Sequence, residues 1–168
     1  MPAILNGRWT ARRQEPFVVF LIGMRINRPW KIHRWGPVLL AMPRMLAELG
    51  AKPELGFLGG QTWFGRTIVM IQYWTSFEAL ESYAKARDNA HLPAWAAFMK
   101  AVGGSGDVGI YHETYRVEPG AHENIYANMP PTLFGQVGTL VEANGAYRDA
   151  RERMREAAAA LDRARAKL

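Results

Sequence analysis

The chain has 168 residues, which is room for one domain with an appendage and too short for two full-sized ones. Hydrophobic residues make up 49% and charged residues 21%, a balance that excludes global disorder. Lys and Arg number 21 against 15 Asp and Glu, a formal charge of +6 that suits anionic partners, while the absence of Cys excludes disulfides, zinc thiolates, iron–sulfur clusters and thiol nucleophiles.

The first 16 residues are polar and basic and close on Pro16, and they read as an arm before the first domain. Phe17 to Ile26 (FVVFLIGMRI) is β-branched and aromatic on both alternating faces, the signature of a strand covered on both sides. At its most apolar it falls well short of the roughly 20 residues that span a bilayer, and no small-residue cleavage site follows it. The expected location is the cytoplasm, away from membranes.

Ile32, Trp35, Leu39, Met42, Leu46 and Leu49 recur at helical spacing, with kinks or breaks expected at Pro37 and Pro43. Residues 54–60 and 66–75 read as two strands joined by a loop at 61–65. Thr75 or Ser76 caps a helix from Phe77, a second helical piece runs from His91 to about Val102, and residues 107–117 form a fourth strand. The order β-α-β-β-α-β is the ferredoxin-like unit. Its two helices cover one face of the sheet, so the other apolar face needs a second sheet or a second subunit. A homodimer closing an α/β barrel follows as an expectation.

After Pro119 the chain reads as irregular. From about Leu140 a separate amphipathic helix is expected, with Leu140, Tyr147, Met154, Leu161 and Leu168 seven apart and a solvated face of Arg148, Arg151, Arg153 and Arg155. That face is read as solvated rather than as a nucleic-acid surface. The predicted division is therefore an arm over 1–16, a ferredoxin-like domain over 17–135 and a C-terminal helix over 136–168.

The sequence shows no phosphate-binding glycine loop, no GxSxG elbow and no HExxH. The four His stand at 33, 91, 112 and 122. His91 opens AHLPAWAAFMK, with Trp95, Phe98 and Met99 following. His112 lies in GIYHETYRV, where it shares a face with Val108, Ile110 and Thr114 while Tyr111, Glu113 and Tyr115 take the other. Mid-strand among apolar neighbours, His112 is expected to be buried and in need of a polar partner, supplied by a metal, a substrate or a carboxylate. His33 and His122 stand in polar settings and are expected to be inert.

The segments YWTSFEALESYAK, HLPAWAAFMK, GIYHETYRV and ENIYANMP, in that order, resemble a monooxygenase-like family of small dimeric α/β-barrel proteins that includes the fumagillin-pathway monooxygenase. The two His segments are also similar to the end of the haem-containing aldoxime dehydratases. That resemblance implies haem b (iron protoporphyrin IX) as cofactor, His91 as the iron ligand, and His112, followed by Glu113, as the distal acid–base site. Haem is flat and apolar with two carboxylates, so Trp95, Phe98 and Met99 are expected to hold its faces and some of Arg66, Lys85, Arg87 and Lys100 to meet the propionates. The dehydratases also use an Arg and a Ser for which no match is placed, which leaves their reaction open here.

The expected function is a haem-dependent enzyme acting on a small apolar organic substrate, as a monooxygenase or by dehydrating an aldoxime. Coordination of one iron by both His is a variant suited to electron transfer. A cofactor-free monooxygenase, and a carrier for haem or another hydrophobic ligand, stand as alternatives.

Overall fold

The computed structural model describes residues 3–86, 96, 98–100 and 103–165. Its elements are β1 (Leu5–Arg12), β2 (Phe17–Ile26), α1 (Ile32–Ala51), β3 (Phe57–Trp63), β4 (Thr67–Trp74), α2 (Phe77–Lys85), β5 (Val108–Val117), β6 (Tyr126–Met129), β7 (Thr139–Glu142) and α3 (Ala150–Arg165). Residues 96 and 98–100 are also helical.

Four strands form an antiparallel sheet in the order β3-β4-β2-β5. This is the ferredoxin-like arrangement expected from the sequence, with the two most apolar strands, β2 and β4, at the centre. Val18, Phe20, Ile22, Met24 and Ile26 of β2 turn toward the helices. At one end Val18 packs with Trp74, Leu49, Leu80 and Tyr83. At the other, Met24 and Ile26 pack with Ile68, Val108 and Phe98. The odd-numbered residues of β2 occupy the rear face.

The helices start where their sequences provide for it. Ser76 accepts a hydrogen bond from the Ala79 N–H at 3.1 Å and caps α2, with Glu78 in its first turn and Lys85 in its last. The start of α1 is tied to β5 through Asp107, which is 1% exposed. Its carboxylate accepts from Arg28 at 2.8 Å and from Lys31 at 3.0 Å. Neither Pro37 nor Pro43 breaks α1, which runs as one helix through both. Packing of its apolar stripe on the sheet outweighs the two missing backbone donors.

The ends of the chain differ most from the sequence reading. Residues 5–12 are no irregular arm. They form β1, the central strand of a second antiparallel sheet, β6-β1-β7. Asn124 extends the pairing with its side chain, accepting from the Ala11 N–H at 2.7 Å and donating to the Ala11 carbonyl at 2.9 Å. Residues 139–142, read as the start of a helix, are β7, and α3 begins only at Ala150. The segment read as irregular holds β6 and a 3₁₀ turn at Leu133–Gln136. In place of a loop over 61–65, β3 continues to Trp63.

The proposed heptad seam does not survive these boundaries. Leu140 packs in the rear core, the Tyr147 ring lies under the Arg12 guanidinium at 4.8 Å, and Met154 is 40% exposed. Arg153, expected on the solvated face, is instead 8% exposed. Its guanidinium pairs with Glu123 and donates to the Tyr147 and Arg148 carbonyls at 2.9 Å. It anchors α3 to the loop before β6.

The second sheet covers only part of the rear face. Phe17 and Tyr73 pack there with Ala11, Tyr126 and Phe134, flanked by Val19, Ile71 and Leu140. His122 is not in a polar setting as expected. Its ring stands edge-on to Phe17 at 5.1 Å and to Phe134 at 4.8 Å. The other half of the rear face carries Trp63, Tyr111 and Tyr115, all exposed, and within one chain the barrel is not closed. No described helix is long and apolar enough to cross a membrane.

Candidate active site

A cleft lies between the helix-side face of the sheet and the two helices. Its floor is Phe20 and Ile22 of β2 with Gln72 and Trp74 of β4. Its walls are Met42, Met45, Leu46 and Leu49 of α1 and Leu80, Tyr83 and Ala84 of α2, and the cavity, of about 50 Å³, opens to solvent. The walls are apolar because one stripe of α1 and one of α2 must cover the strands. Met42 and Met45, which helical spacing alone assigns to the core, line this space.

His112 stands beside Phe20, on the same face of the sheet as the cleft. In the β2–β5 register it stands opposite Ile22, so its side chain projects from the helix-side face. Its ring centroid is 5.6 Å from that of Phe20. The sequence pattern predicts burial, but His112 is exposed, because β5 is the edge strand and only one neighbour flanks it. Among the described residues the imidazole makes no hydrogen bond.

Glu113 stands opposite Leu21, and its side chain projects from the rear face. There it accepts a hydrogen bond from the Tyr115 hydroxyl. That bond, followed by the carboxylate charge, raises the Tyr115 ionisation above its ordinary value. The structure therefore does not bring His112 and Glu113 together on one face. Tyr73 is also at the rear, where burial raises its pKa to about 12.

The other expected cofactor residues divide as follows. Phe98 is buried against Met24, Ile26, Ile68 and Val108, on the same face of the sheet as His112. Met99 is 49% exposed. His91, Trp95 and Arg87 lie outside the described residues. Arg66 sends its Nε toward the Ile26 carbonyl at 3.4 Å, Lys85 pairs with Glu81 at 2.7 Å, and Lys100 is exposed.

One polar residue of the cleft escaped the sequence reading. Gln72 is 8% exposed. The Trp74 indole N–H donates to its Oε1 at 2.9 Å, and its Nε2 faces the Met70 sulfur at 3.3 Å. A lone amide within the two-faced strand TIVMIQYW was the available signal. Tyr83, by contrast, donates its hydroxyl to Glu48 at 3.2 Å, and burial followed by that carboxylate raises its pKa.

The model of the monooxygenase af470-like family matches residues 17–134, the whole ferredoxin-like unit together with β6. The chain belongs to that family. Monooxygenase af470 of Aspergillus fumigatus is 30% identical over 86% of this chain, which spans 64% of that protein's length. Among solved structures, the aldoxime dehydratase OxdRE in complex with butyraldoxime superposes with a TM-score of 0.65 at 17% identity, over 83% of this chain and 42% of that one. A second aldoxime dehydratase gives 0.64 at 17% identity, over 81% and 42%. At such identity these two likenesses concern the fold.

Proposed function

We propose that this family member is an enzyme that binds a small apolar organic substrate in the cleft and uses His112 as its acid–base residue beside a haem b held by His91, the net reaction being insertion of one oxygen atom of O2 into the substrate while the other leaves as water, with two electrons from an external reductant. The observation that carries this reading is an accessible imidazole, free of hydrogen bonds among the described residues, standing beside Phe20, which floors an apolar cleft. Imidazole is the side chain that titrates near neutral pH, as a group that both takes and returns a proton must.

The described residues supply an apolar wall against which one face of a flat cofactor would rest, while its iron ligand, His91, and the partners of its propionates would come from outside this lining. Met42, Met45, Leu46 and Leu49 form that wall, and the imidazole projects from the same face of the sheet. Haem, when bound, supplies redox-active iron. The chain's own part is to exclude water with the α1 and α2 side chains, to stack Phe20 beside His112, and to hold or deliver a proton at a His112 ring nitrogen.

The half-open rear face supports a homodimer. Val69 and Leu21 lie there among Trp63, Tyr111 and Tyr115, and a second copy would bury this row and close the barrel. Glu113 and Tyr115 then belong to the contact between subunits. Analytical ultracentrifugation tests this, with a monomer at micromolar concentration as the contrary result.

The visible spectrum of the protein produced with haem supplied tests the main reading. The expected result is a Soret band lost in His91→Ala and kept in His112→Ala. A colourless protein after reconstitution overturns the haem assignment. In that event the same cleft serves a cofactor-free monooxygenase, in which His112 removes a proton directly from an electron-rich substrate. The open position of the imidazole favours this second reading.

A further inference from the structure

We infer that the Gln72 carboxamide is the hydrogen-bond donor that orients the substrate, so that the ligand of this cleft is an apolar molecule bearing an uncharged acceptor oxygen, such as a ketone, aldehyde or quinone. The inference rests on the cleft being the substrate site and holds with or without haem. An indole N–H can only donate, so its 2.9 Å contact fixes which end of the amide is oxygen. The –NH₂ must then point the other way, and its nearest acceptor is the Met70 thioether, a weak one. A carboxamide more than nine-tenths buried thus holds donor capacity with no oxygen to receive it among the described residues. Of the polar groups lining this cleft, the Trp74 indole and the Tyr83 hydroxyl already donate, to Gln72 and Glu48.

A buried donor left short of an acceptor favours a ligand that supplies one. The charge of that ligand is also constrained. Among the described residues the lining holds no cation, so an ionised carboxylate or phosphate entering it would lose its hydration without compensation from them. A hydrocarbon would leave the amide as it is. In the strand register Gln72 stands opposite Phe20 on β4, and His112 lies on the far side of β2 opposite Ile22. These positions are two strand spacings apart and offset by two residues along the strands, roughly 12 Å. The oxygen that Gln72 holds is therefore a handle, distinct from the atom on which His112 acts.

The test uses a near-isosteric pair, acetophenone and α-methylstyrene, which differ by C=O against C=CH₂, titrated into the ¹⁵N-labelled full chain. Acetophenone is expected to shift the Gln72 side-chain amide resonances and to bind about 5- to 10-fold more tightly. The styrene is expected to leave those resonances in place. Gln72→Met removes the donor at nearly constant volume and without a buried charge, its fold checked by the dispersion of the backbone amide spectrum. In that variant the preference for acetophenone is expected to vanish. Equal binding of the two probes to the unaltered protein, or no response at Gln72 to either, overturns the inference, and neither result depends on the variant folding. Because no probe reports on iron, failure here is distinguishable from failure of the haem assignment, which the Soret band decides.

Discussion

His112 and Glu113, neighbours in the chain, face opposite sides of the sheet, one opposite Ile22 on the helix-side face and the other opposite Leu21 on the rear face. Their substitutions therefore have different signatures. His112→Ala is expected to lower turnover about 100-fold or more, the usual scale of a lost general acid–base group. Because the residue is exposed, its unfolding free energy is expected to change by less than about 0.5 kcal/mol. Glu113→Gln acts on Tyr115, whose hydroxyl loses the partner that raises its pKa. Ultraviolet titration should show that tyrosine ionising at lower pH in Glu113→Gln and unmoved in His112→Ala.

Arg153 holds α3 in place through a guanidinium that is almost wholly committed, to Glu123 and to the Tyr147 and Arg148 carbonyls. Arg153→Met leaves a carboxylate and two carbonyls without their donor. The expected cost is about 3 kcal/mol. Denaturant unfolding measures it, and a loss within error of zero would show the contact to be dispensable.

Acid should release the tie between α1 and β5. The hydrogen bond from Lys31, ahead of the charges of Lys31 and Arg28, holds the Asp107 carboxyl below its usual 3.8. A group with a depressed folded pKa contributes its stability above the unfolded value and loses it as pH falls through the folded one. The melting temperature should therefore drop below about pH 4, and Asp107→Asn should flatten that limb while lowering stability at pH 7.

His122 gives a second, separate pH window. Burial against Phe17 and Phe134 lowers its pKa from 6.5, so the folded state favours the neutral ring. Its contribution is complete above 6.5 and is lost as pH falls toward the depressed folded value. Stability measured from pH 7.5 to 5 should decline, and His122→Gln should remove that slope. An unchanged slope in the variant would assign it to another group.

Gly120 meets α3 at close range. Its φ is +82°, and a Cβ there would stand 2.9 Å from the Ala158 Cβ and 3.0 Å from its backbone nitrogen. Gly120→Ala combines a left-handed backbone with a clash that no flexible side chain relieves. A loss of about 2 kcal/mol is expected. Thermal unfolding would then fall by roughly 6 °C.

The central unit was legible without coordinates. The two-faced apolar strands at 17–26 and 66–75, the α1 stripe, the Ser76 cap and the alternation that parts His112 from Glu113 are all local patterns, and local patterns survive folding when packing agrees with them. Even β1 left a trace, with Leu5, Trp9 and Ala11 alternating with polar residues, though its short flanking partners gave no pairing signal.

What only the tertiary structure decided concerns partners distant in the chain. Arg153 reads as a solvent-facing helix residue until Glu123, 30 positions earlier, is beside it. Gln72 reads as an interruption until Trp74 orients its amide and the two helices enclose it. His112 reads as buried until β5 is seen to be an edge. The spacing of apolar residues sets which face a side chain takes, because the backbone repeat is fixed by bond geometry. It is silent on what lies across that face, because burial and hydrogen bonding depend on chain segments that meet only when the whole has folded.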